Sequence, residues 1–536
     1  MIQFAGLAVR RFSFMAFAGF AFPFLRRSSK AATPNPLLAG LVLGLVVFAL
    51  APLGALLLLA FGGVAPRAGL DLGPGGWGAL AQTLALVTGV GLVVALLGTA
   101  NGWLTASCAF PGCRWLRLAQ VLPLATPAYL LAATWIDLGS RFGWPIHGLG
   151  WAIVSLSLST YSYVFLLASE SFASLGRRPL EAARSLGVGP WGGFRRVALP
   201  LAVPAIGAGV ALSGMEVVNE LGAVELLGVP TLSTAILQRW QVDGEPQAAA
   251  GLALVALLIV ATLLAAERHF RRRSRRWSLN GGLDRAPAYR LQGWRALAAQ
   301  LLALLPPLLT LGLPLLWLLL SWDQIPTQEP LELLVLTGRT LGLALAAATL
   351  TLLFALVLAI ARRWLPHGPW PPLTLLAGMG YAIPGAVLAL GLMLLGGGGA
   401  LAPVALLLWG YGDRFLAVAK QGLDAALERL PPSLDEAANA LGSDWWAVLR
   451  RVHLPLLRGP LLVGLLLVFV DVVKELPLTF ALRPFDCDTL AVRVFQYASD
   501  ERVGAALLPA LLILVLGLVS SLALVPSLGL GAREEP

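Results

Sequence analysis

Apolar runs long enough to cross a bilayer recur along the chain near residues 37–61, 79–107, 118–137, 149–169, 200–227 and 247–266, and again near 296–320, 336–360, 373–395, 400–418, 456–482 and 503–527. A spanning helix needs about 20 mostly apolar residues, so each run predicts one span. The fold class that follows is an all-α polytopic membrane protein with two parallel six-helix repeats. A polar, arginine-dense break, RHFRRRSRRW at 268–277, separates the two sets. The resulting divisions are a basic N-terminal arm (1–36), a first transmembrane repeat (37–267), a cytoplasmic linker (268–293) and a second repeat (294–530). Within the arm, FSFMAFAGFAFPFL (12–25) is too short to span comfortably and no small-residue cleavage pattern follows it closely. It reads as an interfacial helix or as residues ahead of the true start, and it is set aside from the fold.

Composition agrees with the pattern. Hydrophobic residues make up 58% of the chain and charged residues 12%, against roughly a quarter charged in a soluble domain. The net charge of +10 raises nucleic acid as a partner, but the arginines cluster between apolar runs instead of lining one polar face. The partner they imply is the lipid bilayer, and no nucleic acid. Lys and Arg accumulate in the arm, around Arg114 and Arg117, in 177–196, in the linker, at Arg362 and Arg363 and in 414–451, whereas SWDQIPTQEPLE (321–332) holds three acids and no base. The positive-inside rule therefore places both termini in the cytoplasm. Cys108, Cys113 and Cys487 form no even disulfide framework and lack zinc-ligand spacing. The scattered His147, His269, His367 and His453 read as interfacial residues.

An even number of spans per unit returns the chain to its starting side, so the two copies lie parallel, related by an axis along the membrane normal. The duplication is visible directly. Glu436 stands 255 residues after Glu181, and the same offset carries Gly187 to Gly442, Arg195 and Arg196 to Arg450 and Arg451, and Pro200 to Pro455. Continued without a gap, it carries Glu216 to Asp471, Glu220 to Glu475, Thr234 to Thr489 and Gln241 to Gln496.

At the centre of each copy lies a loop: EAARSLGVGPWGGFRRVALP (181–200) and EAANALGSDWWAVLRRVHLP (436–455). Glu181, Ala182 and Ala183, like Glu436, Ala437 and Ala438, are helix-forming residues with a small flat face for another protein to close on. Gly187 and Gly442 suit a left-handed helix cap, and Pro200 and Pro455 suit the first turn of the next span. Glu-Ala-Ala, Gly six residues after the Glu and Pro nineteen after it resemble the signature loop of permeases in binding-protein-dependent ABC importers. The resemblance implies a type I importer permease fold, two copies of an ABC ATPase docked on the two loops, an extracytoplasmic binding protein, and a multi-pass place in a bacterial inner membrane. A phosphate-cradling loop needs Gly-Lys-Ser/Thr. None of the three lysines, Lys30, Lys420 and Lys474, follows a glycine, so no catalytic residue or cofactor is expected in this chain and ATP with Mg belongs to the partners.

Ionisable residues inside spans are costly and mark functional candidates. Glu216 and Glu220 share a helix face, as do Asp471 and Glu475, and repeat symmetry can set the two faces across a central pathway. Glu225 and Lys474 complete the candidate set. Four carboxylates suit a hard cation that prefers oxygen ligands. The residues alone leave two roles open: transient contact with the cargo at Glu216, Glu220, Asp471 and Glu475, or structure and gating through pairs with Lys474, Arg239 or Arg493. KELPLTFALRPFDCDTLAVRVFQYASDE (474–501) and YAIPGAVLALGL (381–392) resemble the fused ferric-iron importer permeases, and that resemblance, not spacing, implies Fe3+ as cargo. The alternatives are another cargo (thiamine, an aminophosphonate or an inorganic anion) or an ion-driven secondary transporter, which gives no reason for two docking loops.

Overall fold

The computed structural model describes residues 36–61, 72–73, 75–278, 288–325, 330–396, 402–485 and 487–524. The N-terminal arm up to residue 35, residues 279–287 of the linker, the stretch 397–401 that includes most of the Gly396–Gly399 run, and the last residues of the chain lie outside them.

The chain is a polytopic membrane protein whose described residues are almost entirely helical. Among the described residues nine helices are long and apolar enough to cross a membrane, and two bent pairs, Cys113–Ala125 with Ala128–Arg141 (92°) and Trp370–Ala382 with Gly385–Gly396 (110°), raise the number to eleven. These pairs replace the straight third and ninth spans expected from hydropathy. Each bends where Thr126 or Ile383 is extended just before a proline, Pro127 or Pro384. A proline ring clashes with helical backbone in the residue before it, so the helix stops there. The tenth expected span is the helix Pro403–Glu428, which buries Asp413, Arg414 and Lys420 and so is less apolar than the others. Arg414 and Lys420, read in sequence as part of a cytoplasmic basic stretch, thus belong to the interior.

Packing between helices relies on small residues, because lipid offers leucines no incentive to leave it. A Cβ at Gly98 would lie 2.6 Å from Val164 Cβ, and one at Gly209 2.7 Å from Val164 Cα, so the helices Gly76–Ser107 and Leu199–Asn219 clamp Leu149–Leu175 backbone to backbone. The two halves interlock by exchanging their first helices. Pro36–Phe61 packs on the bent span of the second half, where Phe48 stacks on Trp409 at 4.9 Å and accepts the Trp409 indole N–H through its carbonyl at 3.0 Å. In return Trp294–Leu320 lies against the first half, where the Trp317 indole donates to Asp137 at 2.9 Å and the Gln120 amide donates to the Ala303 carbonyl.

The arginine-dense break does not end a helix. Pro246–Ser278 runs through it without interruption, because Arg and Ala are strong helix formers and no Gly or Pro intervenes. After the break the chain returns as a short strand, Tyr289–Arg290, paired in parallel with Cys108–Ala109 at the end of Gly76–Ser107. The described cysteines are free, and burial, with Cys113 nearby, pushes the Cys108 thiol up to about 12.

Candidate functional site: coupling loops and the central cavity

Both signature loops fold the same way. Helices Arg178–Ser185 and Ser433–Ala440 are each closed by a glycine in the left-handed region, Gly187 at φ 79° and Gly442 at φ 78°. The Val188 N–H donates to Ala183 and the Gly187 N–H to Arg184, matched by Ser443 to Ala438 and Gly442 to Asn439, all at 3.0 Å. This double closure consumes carbonyls that the helix end leaves unpaired. Glu181, Ala182, Glu436 and Ala437 are exposed, Ala438 is half-buried and Ala183 is buried. Beside each glycine an equivalent leucine stands almost bare, Leu186 at 83% exposure and Leu441 at 86%. The pair gives both loops an apolar knob within a charged rim.

Beyond the glycines, short helices Pro190–Gly193 and Trp445–Val448 lead without a break into Leu199–Asn219 and Leu454–Val473. Pro200 and Pro455 therefore fall inside continuous rods, Pro190–Asn219 and Trp445–Val473, and not at the start of a span. A π turn in front of each, where Leu199 donates to Phe194 and Leu454 to Leu449, widens the helix enough to seat a proline that lacks an N–H. The loops differ in what holds them. Tyr289 of the linker strand packs with Trp103 and Phe194 against the first, and the Ala288 and Leu291 N–H groups donate to Ser107 and Ala109 at 2.9 Å. The second is held by the Arg363–Asp435 ion pair at 2.7 Å and by His453, fully buried beside Trp364 and Asp435. That burial corrects its reading as an interfacial residue.

The two rods end on opposite sides of one central cavity of about 120 Å3, which brings together Glu216, Asn219 and Glu220 from the first half and Arg414, Asp471, Lys474 and Glu475 from the second. Spans five and eleven stop at Asn219 and Val473, short of the expected 227 and 482. Glu220 and Glu475 therefore sit in the breaks and not on the helix faces of Glu216 and Asp471. Each break begins a short re-entrant helix, Gly222–Leu226 or Pro477–Leu482, whose first N–H groups lack partners. The Glu220 carboxylate accepts from Ala223 N–H at 2.9 Å. Its counterpart Glu475 accepts from Leu478 and Thr479 N–H, both at 2.9 Å, and from the Thr479 hydroxyl at 2.5 Å.

The remaining groups tie one half to the other. Tyr381 donates to Glu216 at 2.6 Å. Asn219 accepts from the Gly385 N–H at 2.6 Å and from Arg414 at 2.8 Å. At the pseudo-equivalent position Lys474 pairs with Asp471 at 2.9 Å and donates to the Leu124 carbonyl at 3.0 Å. Gly385 N–H and Leu124 C=O are backbone groups orphaned by the proline bends, so each half satisfies the broken helix of the other. Arg239 and Arg493 take no part, pairing instead with Asp243 and Glu245 and with Asp488 and Glu332. Glu225 is exposed and does not line the cavity. No three His, Cys, Asp or Glu side chains among the described residues converge to hold a metal.

Asn219, Tyr381 and Arg414 were not foreseen. The signal for Asn219 was its place opposite Lys474 in the repeat register. That register also needs correction. Thr231 caps Leu232–Leu237 and Thr489 caps Leu490–Ser499, so the second copy carries three extra residues after its re-entrant helix and the Thr234–Thr489 and Gln241–Gln496 pairings lapse.

The family described as binding-protein-dependent transport system inner membrane component matches this chain twice, over residues 98–276 and 372–525. The chain belongs to that family. It is a permease subunit of a binding-protein-dependent ABC transporter, multi-pass in the inner membrane, and a transport subunit rather than an enzyme. An Fe(3+)-transport system permease of Haemophilus influenzae is 26% identical over 82% of this chain and 87% of its own length. A probable sulfate transport permease of Nephroselmis olivacea is 28% identical over 41% of this chain and 84% of its own. A putative 2-aminoethylphosphonate transport permease of Salmonella typhimurium is 28% identical over 28% of this chain and 57% of its own.

Proposed function

We propose that this chain forms the whole translocation pore of an ATP-driven ferric-iron importer, taking Fe3+ from an extracytoplasmic binding protein and passing it inward by alternating access. The observation that carries the pore assignment is the pair of loops with matching helices and glycine turns, each continuous with a rod that ends at the shared cavity. Two ATPase subunits, with their ATP and Mg, dock on the cytoplasmic loops at Leu186 and Leu441, against the exposed Glu181 and Ala182 and the exposed Glu436 and Ala437. Their closure moves both rods together, and both termini lie in the cytoplasm. Iron as cargo is supported by the relative that aligns over both halves; the sulfate and aminophosphonate relatives align over less than half of the chain. The cavity agrees with a cation, since its four carboxylates outnumber Arg414 and Lys474. The absence of a closed metal cage among the described residues suits a cargo that must leave.

The test is uptake by the complex of this chain, its ATPase and its binding protein in proteoliposomes. Radiolabelled ferric iron is expected to accumulate only with ATP and loaded binding protein, and excess thiamine or sulfate is expected to leave it unchanged. Accumulation of sulfate instead of iron would replace the cargo, and its block by thiamine would do the same.

The cross-half bonds are read as the latch of a closed pathway. Tyr381→Phe strips Glu216 of its donor, and a hydrogen bond to a charged group contributes about 1.5–3 kcal/mol. Basal ATP hydrolysis without cargo is expected to rise about tenfold as the closed state loses population, with little change in the cargo-stimulated rate. Unchanged basal hydrolysis would remove Tyr381 from the latch.

A further inference from the structure

An apolar groove of about 660 Å3 opens on the outer face of the first half, where Leu96 and Trp103, Phe194 and Val203, Phe270 and Leu302 meet from four segments of the chain. Its floor depends on Gly207, since a Cβ there would lie 2.9 Å from the Phe270 ring, so only glycine lets that ring fold flat. Thr99 is the one hydroxyl in a wall otherwise made of carbon and indole. The lining itself holds no charge, but arginines stand next to it along the chain. Arg195 and Arg196 follow Phe194 directly, and Arg273 stands one turn beyond Phe270, all three exposed. Among the described residues none of them meets a carboxylate, whereas Arg271 on the same helix is bound by Glu267. Trp191, 71% exposed in the lining, suits the level of lipid headgroups, where amphipathic indoles collect.

We propose that this groove is a binding site for an anionic phospholipid, with one acyl chain against Phe270 and Val203 and the headgroup phosphate held by Arg195, Arg196 and Arg273. Charge complementarity selects the headgroup: three unpaired guanidiniums beside hydrocarbon match a phosphodiester with net negative charge, and basic pockets between spans bind such headgroups. A zwitterionic lipid fills the same apolar wall but brings its own cation to the arginines. Phe194 and Trp191 belong to the first coupling loop, so the lipid shares a wall with that loop. Binding itself is independent of the cargo and of the ATPase, and it stands if the iron assignment fails.

The experiment uses the purified full chain in neutral detergent, with phosphatidylglycerol, phosphatidylcholine or inorganic phosphate added at equal concentration and read by native mass spectrometry and thermal unfolding. Phosphatidylglycerol is expected to stay bound and to raise the unfolding temperature by several degrees, as a ligand of the folded state must, while the other two do neither. The triple change Arg195→Gln, Arg196→Gln, Arg273→Gln is expected to lower its retention at least about tenfold. Val203→Trp, at a position 49% exposed, fills the groove with all three arginines in place and is expected to abolish retention. Equal retention of phosphatidylcholine, an equal response to inorganic phosphate, or phosphatidylglycerol retention untouched by Val203→Trp would each overturn the proposal.

Discussion

Replacing both loop glycines by a β-branched residue, Gly187→Val with Gly442→Val, is expected to abolish ATP-driven uptake while the chain still inserts and folds. The reason lies in the backbone and not in crowding. Both glycines have φ near +80°, and a Cβ at either would meet nothing within 4 Å. A side chain in this region costs about 1–2 kcal/mol per residue, too little to unfold a protein of this size but enough to unwind an exposed two-turn helix whose last carbonyls depend on that turn. Loss of the turn displaces Leu186 and Leu441 together and removes both knobs. Asparagine tolerates the left-handed conformation best after glycine, so Gly187→Asn with Gly442→Asn is expected to keep most of the uptake that the valine pair loses. The checks are co-purification of the ATPase and uptake in proteoliposomes. Full activity of the valine pair would show that the turn is dispensable; equal loss in the asparagine pair would move the cause from backbone conformation to contact with the partner.

These loops were legible in the sequence because their physics is local. A short helix, a glycine that only a left-handed turn requires and an arginine pair at the membrane surface repeat at a fixed offset, and no tertiary contact is needed to recognise them. The spans were legible for the same reason, since bilayer thickness sets their length. The breaks in the spans were not. MEVVNELGAVELLGV (215–229) and FVDVVKELPLTFAL (469–482) carry their few polar residues within runs that resume as apolar beyond the points where the helices stop, and hydropathy averaged over a span does not register a change of direction. What stops them is the carboxylate of Glu220 or Glu475 turning onto the next backbone N–H groups, an alternative that becomes favourable only when the cavity is built from both halves. Arg414 escaped for a related reason. Beside Asp413 near the end of a long apolar run it looked like the start of a cytoplasmic loop, and only the partner carbonyl of Asn219, from the other repeat, explains its burial. The three-residue slip after the re-entrant helix was hidden because chance pairs, Thr234 with Thr489 and Gln241 with Gln496, continued the offset.

The two capping acids separate a structural role from contact with cargo, because they occupy equivalent positions with unequal hydrogen bonding. Glu220 accepts one backbone N–H, a bond that a glutamine oxygen can keep, so Glu220→Gln is expected to cost under about 1 kcal/mol and to leave uptake near normal. Glu475 uses both oxygens, and its second oxygen accepts from Thr479 N–H and Thr479 hydroxyl together. In Glu475→Gln the amide NH2 faces the Thr479 N–H, donor against donor, inside the membrane. A buried donor without a partner costs about 1–3 kcal/mol, more where no water can reach it. Glu475→Gln is therefore expected to lower the unfolding temperature clearly and uptake with it, and Glu475→Ala, which orphans both N–H groups, to do so further. Contact with a cation predicts another pattern, since each substitution deletes one negative charge and the two should impair uptake alike with stability unchanged. Loss of uptake in Glu220→Gln at an unaltered unfolding temperature would show that this carboxylate meets the cargo. Glu216→Gln and Asp471→Asn, which leave both caps intact, then become the direct measure of charge along the pathway: Glu216→Gln removes the charge but keeps an oxygen that accepts from Tyr381, and Asp471→Asn releases Lys474 from its ion pair, so a latch and a ligand role divide according to whether basal hydrolysis rises or iron uptake alone falls.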